Sequence, residues 1–482
     1  LPIPERSRLY LAIDQGGHAG RALVFDRAGR IIARSEQQIS MQQPHPGWFE
    51  HDAETLSASL QTAICEAVAQ LGPQKHGLCA AGLATQRSNI VCWHRKTGAA
   101  CSKVISWQDR RAATFMQPFE AEAARLHEIT GLFPSAHYGA SKLRWCLDHL
   151  PAAQKALEDG TLCCGPFSSF LSARLTRTAQ ARVDPAHAAR TLLWNIHTKD
   201  WDARLLEKFG IPLQVLPKCV ASRHAFGSIT VSGLEIPLCI VTGDQSAALF
   251  QAGPPQKTTT YINMGTGAFI QRILEYPLPD APRLLHSVVF SEDHRYQYAL
   301  EGTVNGAGAA LSWFSKQAHC PAWPKTAETW LRETKAPPLF INGIGGLGAP
   351  FWQPEIDSYF IGEGDRAAQF CAVVESILFM IQANLDEMHK GLKPPKTLCL
   401  SGGLSVSDPL CQKLADLSET PVRRAIQHEA TARGLFYLMN PSSRNDAEAA
   451  SPQRFPPRNA PELRQRYQRW LKKMNTLTEA LQ

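Results

Sequence analysis

Three short stretches of this 482-residue chain place carboxylates and glycines where they could handle a phosphate group. In LYLAIDQGGHAGRALVFD, Leu9 to Asp26, the residues Asp14, Gly16 and Gly17 stand at the turn of an apolar hairpin. Far downstream, Ile240-Val-Thr-Gly-Asp244-Gln245 again delivers an acidic residue at the end of an apolar strand. Tyr261-Ile-Asn-Met-Gly265-Thr266-Gly267-Ala-Phe269 repeats the strand, turn and strand with glycines at the bend. Backbone N–H groups at glycine turns can approach a polyphosphate closely. A carboxylate on each side could hold Mg²⁺ or take the proton of an acceptor hydroxyl. Asp-Gln-Gly alone is a common hairpin turn. Two halves that each offer such a turn point to a nucleotide held between two domains.

Elements of two kinds must position these residues. Short β-rich runs (9–13, 21–25, 31–35, 78–85, 90–93) accompany helical patterns such as 53–71, the mixture expected of an α/β domain. Segment 110–130 reads as one helix and 141–149 as another with Leu143, Trp145 and Leu147 partly buried, Pro134 breaking the chain between them. Gln251-Ala-Gly-Pro-Pro-Gln-Lys is a polar connection. It divides the chain into a first domain, 1–250, and a second, 251–482, with helices at 305–318 and 367–390.

Composition excludes several classes. Hydrophobic residues at 44% and charged residues at 19% describe a globular chain rather than a disordered one. A formal charge of +7 without basic runs interleaved with aromatics gives no footprint for nucleic acid. The dense cluster Arg464, Arg466, Arg469, Lys472 and Lys473 reads as a solvated helix face. No apolar stretch approaches the roughly 18 residues that span a bilayer, so no membrane partner is expected. Thirteen cysteines without a regular framework read as reduced core residues, which implies the cytoplasm. His45, His51, His187 and His197 lack metal-ligand spacing.

With those residues in view, the chain resembles the FGGY carbohydrate kinase family and, within it, the glycerol kinase branch. Besides Asp14-Gln-Gly16, the islands are Pro46-Gly-Trp48-Phe-Glu50-His-Asp52, Thr85-Gln86-Arg87, Ser106-Trp107-Gln108-Asp109-Arg110-Arg111 and Ala189-Arg190-Thr191 with Asn195-Ile196-His197. Thr242-Gly-Asp244-Gln245, Gly345-Gly-Leu-Gly-Ala-Pro350-Phe-Trp352, Val374-Glu375-Ser376-Ile377, Ser401-Gly402-Gly403 and Ala432-Arg433-Gly434 follow. The resemblance implies two ribonuclease H-like, actin-like α/β domains with a nucleotide and substrate cleft between them, and ATP with Mg²⁺ as cofactors. Asp244 looks like the catalytic base and, with Asp14, a metal-binding carboxylate. Gly16, Gly17 and His18 resemble the first phosphate turn, and Gly265, Thr266 and Gly267 the second. Gly402 and Gly403 resemble the glycines over the adenine and ribose, with Gly308 on the neighbouring helix. The acceptor pocket by resemblance comprises Gln86, Arg87, Ser88, Trp107, His137, Tyr138, Gln245 and Phe269, which suit a small polyol or sugar. Family members are often dimers or tetramers, so the resemblance implies a homodimer or homotetramer.

The chain also departs from the glycerol kinase pattern. Gln86-Arg87-Ser88-Asn89 stands where that branch has Gln-Arg-Glu-Thr, so the carboxylate that gathers glycerol hydroxyls is missing. Gly17-His18-Ala19 replaces Thr-Thr-Ser and removes every hydroxyl donor, and His137 or Tyr138 meets the pocket tyrosine. An active kinase with an acceptor other than glycerol is therefore expected. The competing expectation is a catalytically silent sugar- or nucleotide-binding regulator on the same fold. A phosphatase or ATPase is a third.

Overall fold

The computed structural model describes residues 7–277, 281–321, 323, 325–424, 429–442 and 453–480. They form two compact units, drawn from the spans Leu1–Pro255, Ser287–Tyr298 and His428–Ala449 for the first, and Gln256–His286, Ala299–Gln427 and Ala450–Gln482 for the second.

At the heart of the first unit, the strand Leu9–Gln15 is buried along its whole length, as its unbroken apolar run demands. It pairs antiparallel with Ala19–Phe25, which pairs with Ile31–Gln38. On its other side it runs parallel to Leu78–Thr85, and that strand runs parallel to Leu234–Gly243. Leu9, Leu11 and Ile13 face a core shared with Leu56, Leu60 and Ile64 of the helix Ala53–Ala69. Asp52 caps that helix by accepting the Thr55 amide at 2.9 Å, and Lys103 and Thr55 hold its carboxyl down to about 2. The opposite sheet face is covered by the helix Ala430–Met439, whose Phe436 packs 5.6 Å from Tyr10 and 5.2 Å from Phe25. This helix crosses Asp244–Ala248 so closely that a Cβ on Gly434 would lie 1.7 Å from the Ala247 carbonyl oxygen.

A small sheet of Glu50–His51, Val104–Ile105, Ile90–His94 and Leu162–Pro166 adjoins these elements within the first unit. Segment 110–130 differs from the single helix expected: Ala113–Met116 passes into a 3₁₀ turn, Gln117–Glu122, before Ala123–Thr130. Pro118 is the reason, since it removes a backbone donor and clashes with the preceding turn.

In the second unit the strand order is Gln453–Phe455, Val422–Arg424, Thr397–Ser401, Thr259–Met264, Ala268–Leu274 and then the 299–304 end of Arg295–Val304. The helix Arg366–Gly391 corrects the expectation that no segment reaches membrane-spanning length. It is long and apolar enough to cross a bilayer, with a mean hydropathy of 1.4 over 18 residues, yet 83% of that window is buried inside the protein as core. The helix Pro461–Ala480 packs on it through Tyr467 and Trp470, both 5.7 Å from Phe379. Arg466 therefore does not belong to a solvated face: it is buried, bonded to Glu375 at 2.7 and 2.9 Å.

Candidate functional site

Register builds the site in the first unit. Asp14 is level with Ala84, and Thr242 is level with Ala84 on the other side, so three parallel strands end together. Their ends present Asp14-Gln15, Thr85-Gln86-Arg87 and Gly243-Asp244-Gln245 side by side, the place where ligands bind in open α/β sheets.

Burial pushes the Asp14 carboxyl up, and the charges of Asp244 and Glu429 push it further, to about 7, against the pull of Arg21. Arg21 lies 4.0 Å from Asp14, 2.8 Å from Glu36 and 3.6 Å from Glu429. Asp244 is half-buried, and burial raises its carboxyl too, with Arg87 and the Gln245 amide, which donates to Oδ1 at 2.7 Å, pulling the other way. A buried carboxyl raised by the charges of acidic neighbours is the arrangement a divalent cation relieves.

Among the described residues no three His, Cys, Asp or Glu groups converge into a ready cation cage. The donors present are all carboxylate oxygens, and Glu429 Oε2 is buried without a hydrogen-bond partner. That set fits Mg²⁺, which is commonly held by one or two carboxylates together with substrate phosphates and water.

The candidate acceptor residues of this unit form one network. The Gln86 amide nitrogen donates to the Gln15 carbonyl at 3.3 Å, and Arg87 Nη2 donates to Gln245 Oε1. Ser88 has φ +66° and its Oγ is buried without a partner. Asn89 joins the rest: its Nδ2 donates to Gln86 Oε1 at 3.2 Å and its Oδ1 accepts the Trp107 amide at 2.8 Å. The Trp107 and His137 rings are 5.5 Å apart, and His137 and Tyr138 are 5.0 Å apart. Burial, with Lys142 and Arg110 nearby, holds the His137 imidazole well below its usual range. On the first turn, the Gly16 amide donates to Ala19 at 3.0 Å, Gly17 lies against the Gln86 side chain, and His18 is exposed with its carbonyl taken by Ile39.

The remaining candidates lie in the second unit, around the turn between Thr259–Met264 and Ala268–Leu274. The Gly308 amide donates to Gly265 and the Ala309 amide to Thr266, both at 2.9 Å, so the turn caps the helix Gly308–Ala318. Gly402 sits against the same turn with φ +88°, where a Cβ would meet the Met264 oxygen at 2.4 Å. Gly403 opens on free space, and half-buried Phe269 pairs with Asn263.

Several residues escaped sequence reasoning. Asp184 Oδ1 meets His187 Nδ1 at 2.5 Å, and His187 Nε2 meets Thr85 Oγ1 at 2.9 Å, a buried chain behind the Gln86 strand end. Nor does the sequence single out Glu429, Arg21, Arg190 or Lys142, and Asn89 enters only within Gln86-Arg87-Ser88-Asn89. Arg190 appeared inside a quoted motif, and it now lies 5.8 Å from the Tyr138 ring centre.

Two α/β units, one with carboxylates at converging strand ends and the other with glycine turns, suit a phosphotransferase of the sugar-kinase type. The N-terminal domain model of the FGGY family of carbohydrate kinases matches residues 9–251 and the C-terminal domain model matches 260–440. The chain belongs to this family: it is a carbohydrate kinase with an alcohol group as acceptor, and membership implies ATP as phosphoryl donor. It is 34% identical over 477 residues to a glycerol kinase of Alkalilimnicola ehrlichii, covering 95% of this chain and 96% of the relative. A glycerol kinase of Trichlorobacter lovleyi is 35% identical over 449 residues, covering 89% and 88%. Among solved structures, Plasmodium falciparum glycerol kinase with ADP superposes with a TM-score of 0.88 at 22% identity, covering 98% of each chain. Xylulose kinase from Rhodospirillum rubrum gives 0.85 at 19% identity, covering 98% of this chain and 99% of that one.

Proposed function

We propose that this kinase moves the γ-phosphoryl group of ATP to a hydroxyl of a small polyol or sugar, with Asp244 as the base. The observation that supports it is the meeting of Asp14, Gln86-Arg87 and Asp244 at three adjacent strand ends. Asp244, raised by burial yet accessible, takes the proton of the acceptor hydroxyl as its oxygen attacks phosphorus in line. Arg87 pairs with Gln245 and steadies the residue beside the base. Asp14 would hold Mg²⁺, which would neutralise charge on the transferring phosphoryl group. Gln86, Asn89, Trp107, His137 and Tyr138 frame the acceptor, offering amide hydrogen bonds and aromatic faces to a polyol. The Thr266 and Gly267 amides receive phosphate oxygens, the Gly265 amide being taken by the Gly267 carbonyl, and Gly403, open on free space, leaves room for the nucleoside.

The acceptor expected from Ser88 was something other than glycerol. The relatives lean the other way, since those at 31–35% identity are named glycerol kinases. Glycerol is therefore the first acceptor to try, and recognition then falls to Gln86, Arg87 and Asn89 rather than to a carboxylate at position 88. The test is ADP release from Mg-ATP across glycerol, longer polyols, pentoses, hexoses and ketoses, with a no-acceptor control. Acceptor-dependent release supports the kinase and ranks its substrates. ATP bound without turnover on any acceptor would favour a regulatory binding protein, and brisk release without acceptor an ATPase.

A further inference from the structure

Lys142 is wholly buried in the helix Gly139–His149, and its ammonium donates to three carbonyl oxygens: Ser88 at 2.8 Å, Ser106 at 3.0 Å and His137 at 2.8 Å. The three carbonyls come from separate segments. One carries Ser88 itself beside Gln86 and Arg87, one precedes Trp107, and one belongs to His137 beside Tyr138.

A buried lysine whose only task is to fill a core would need partners, but not partners from three separate segments of one candidate site. Apolar side chains fill cores without the cost of burying a charge. Here burial and the neighbouring Arg110 push the ammonium well below its ordinary range. Three carbonyl acceptors oppose that, since only the protonated amine has three N–H groups to give. The bond to Ser88 has a particular consequence. A serine at φ +66° occupies a region that costs non-glycine residues on the order of 1–2 kcal/mol, and it persists where the surroundings over-determine it. The Lys142 bond to the Ser88 carbonyl fixes that peptide, and with it the direction in which residue 88 faces.

We propose that Lys142 is the positioning residue of the acceptor site, gathering the segments of Ser88, Trp107 and His137 into one pocket, an inference that rests on the acceptor reading given above. Lys142 is wholly buried and its three N–H groups are taken by carbonyls, so its role is confined to acceptor affinity and alignment.

The test compares wild-type protein with Lys142→Met and Lys142→Arg in steady-state kinetics, varying the best acceptor and ATP separately, with thermal unfolding as a check on folding. Lys142→Met should raise the acceptor KM about 10-fold or more, a misalignment effect, while the ATP KM stays within about 2-fold. Lys142→Arg, which keeps the charge but cannot direct three donors tetrahedrally, should fall between. A folded variant with unchanged acceptor KM overturns the proposal, as does an equal rise in both KM values. If Lys142→Met does not fold, Lys142→Arg decides alone. Failure of both to fold assigns the lysine to the fold only and also overturns it. Wild-type protein that phosphorylates no acceptor defeats the acceptor reading itself, whereas an active wild type with indifferent Lys142 variants defeats only this proposal.

Discussion

Asp14 and Asp244 end two strands that flank Leu78–Thr85 on either side, and the negative charge of Asp244 helps lift the Asp14 carboxyl to about 7. The charge of Asp244 thus opposes ionisation of Asp14.

The opposition has a pH signature. A carboxyl whose folded value lies above its unfolded value of about 3.9 destabilises the fold once ionised there; the cost is absent below about pH 4 and complete above about 7. Asp14→Asn should therefore raise the unfolding midpoint by roughly a few degrees at pH 8 in EDTA, with the gain fading toward pH 4. Calorimetry at both pH values checks it. An equal gain at both would show that the charge is not its source.

Removing the base is the most direct test of the chemistry. Asp244→Asn should lower kcat by about 10²–10⁴-fold while the protein still binds ATP, read by single-turnover kinetics and by calorimetric titration. Undiminished turnover would eliminate Asp244 as the base.

Position 88 should govern acceptor choice. Ser88 Oγ is buried and without a hydrogen-bond partner, so a longer acidic side chain there adds both bulk and charge to the acceptor wall. Ser88→Glu should shift the kcat/KM ratio toward glycerol over a pentitol, with the ATP KM unchanged. A ratio that does not move argues against the assignment of this wall.

In the second unit, Glu375 accepts from Arg466 at 2.7 and 2.9 Å and from Lys413 at 3.1 Å, tying the helices Arg366–Gly391, Asp408–Ser418 and Pro461–Ala480. Glu375→Gln leaves two cations facing a neutral amide and should cost about 3–5 kcal/mol. Urea unfolding of the variant measures it, and a midpoint indistinguishable from wild type would contradict the burial of this triad.

The parts legible in the sequence are those encoded locally. Apolar runs that stop at Asp14 and at Asp244 announce strands ending in carboxylates, and both acids stand where those runs end. The helices 141–149 and 367–390 emerge within two residues of their expected bounds, as Gly139–His149 and Arg366–Gly391. What the chain hid depends on distant partners. Lys142 and Arg466 look like surface cations on amphipathic helices until the carbonyls and carboxylate that accept from them are in place. Glu429 carries no local signal, because its nearness to Asp14 arises only when Ala430–Met439 packs on the Leu9–Gln15 sheet. In 110–130 the helical period is real, but Pro118 outweighs it.

The helix Ala430–Met439 also sets an order of events during synthesis. It covers Tyr10 and Phe25 of the first unit, yet it leaves the ribosome only after residues 256–286 and 299–427 of the second have been made. At translation rates of about 5–20 residues per second, the nascent sheet therefore waits roughly 10–30 s with one apolar face uncovered. A premature stop anywhere before residue 430 would make that exposure permanent, so such fragments should become clients of chaperones and proteases rather than half-working enzymes.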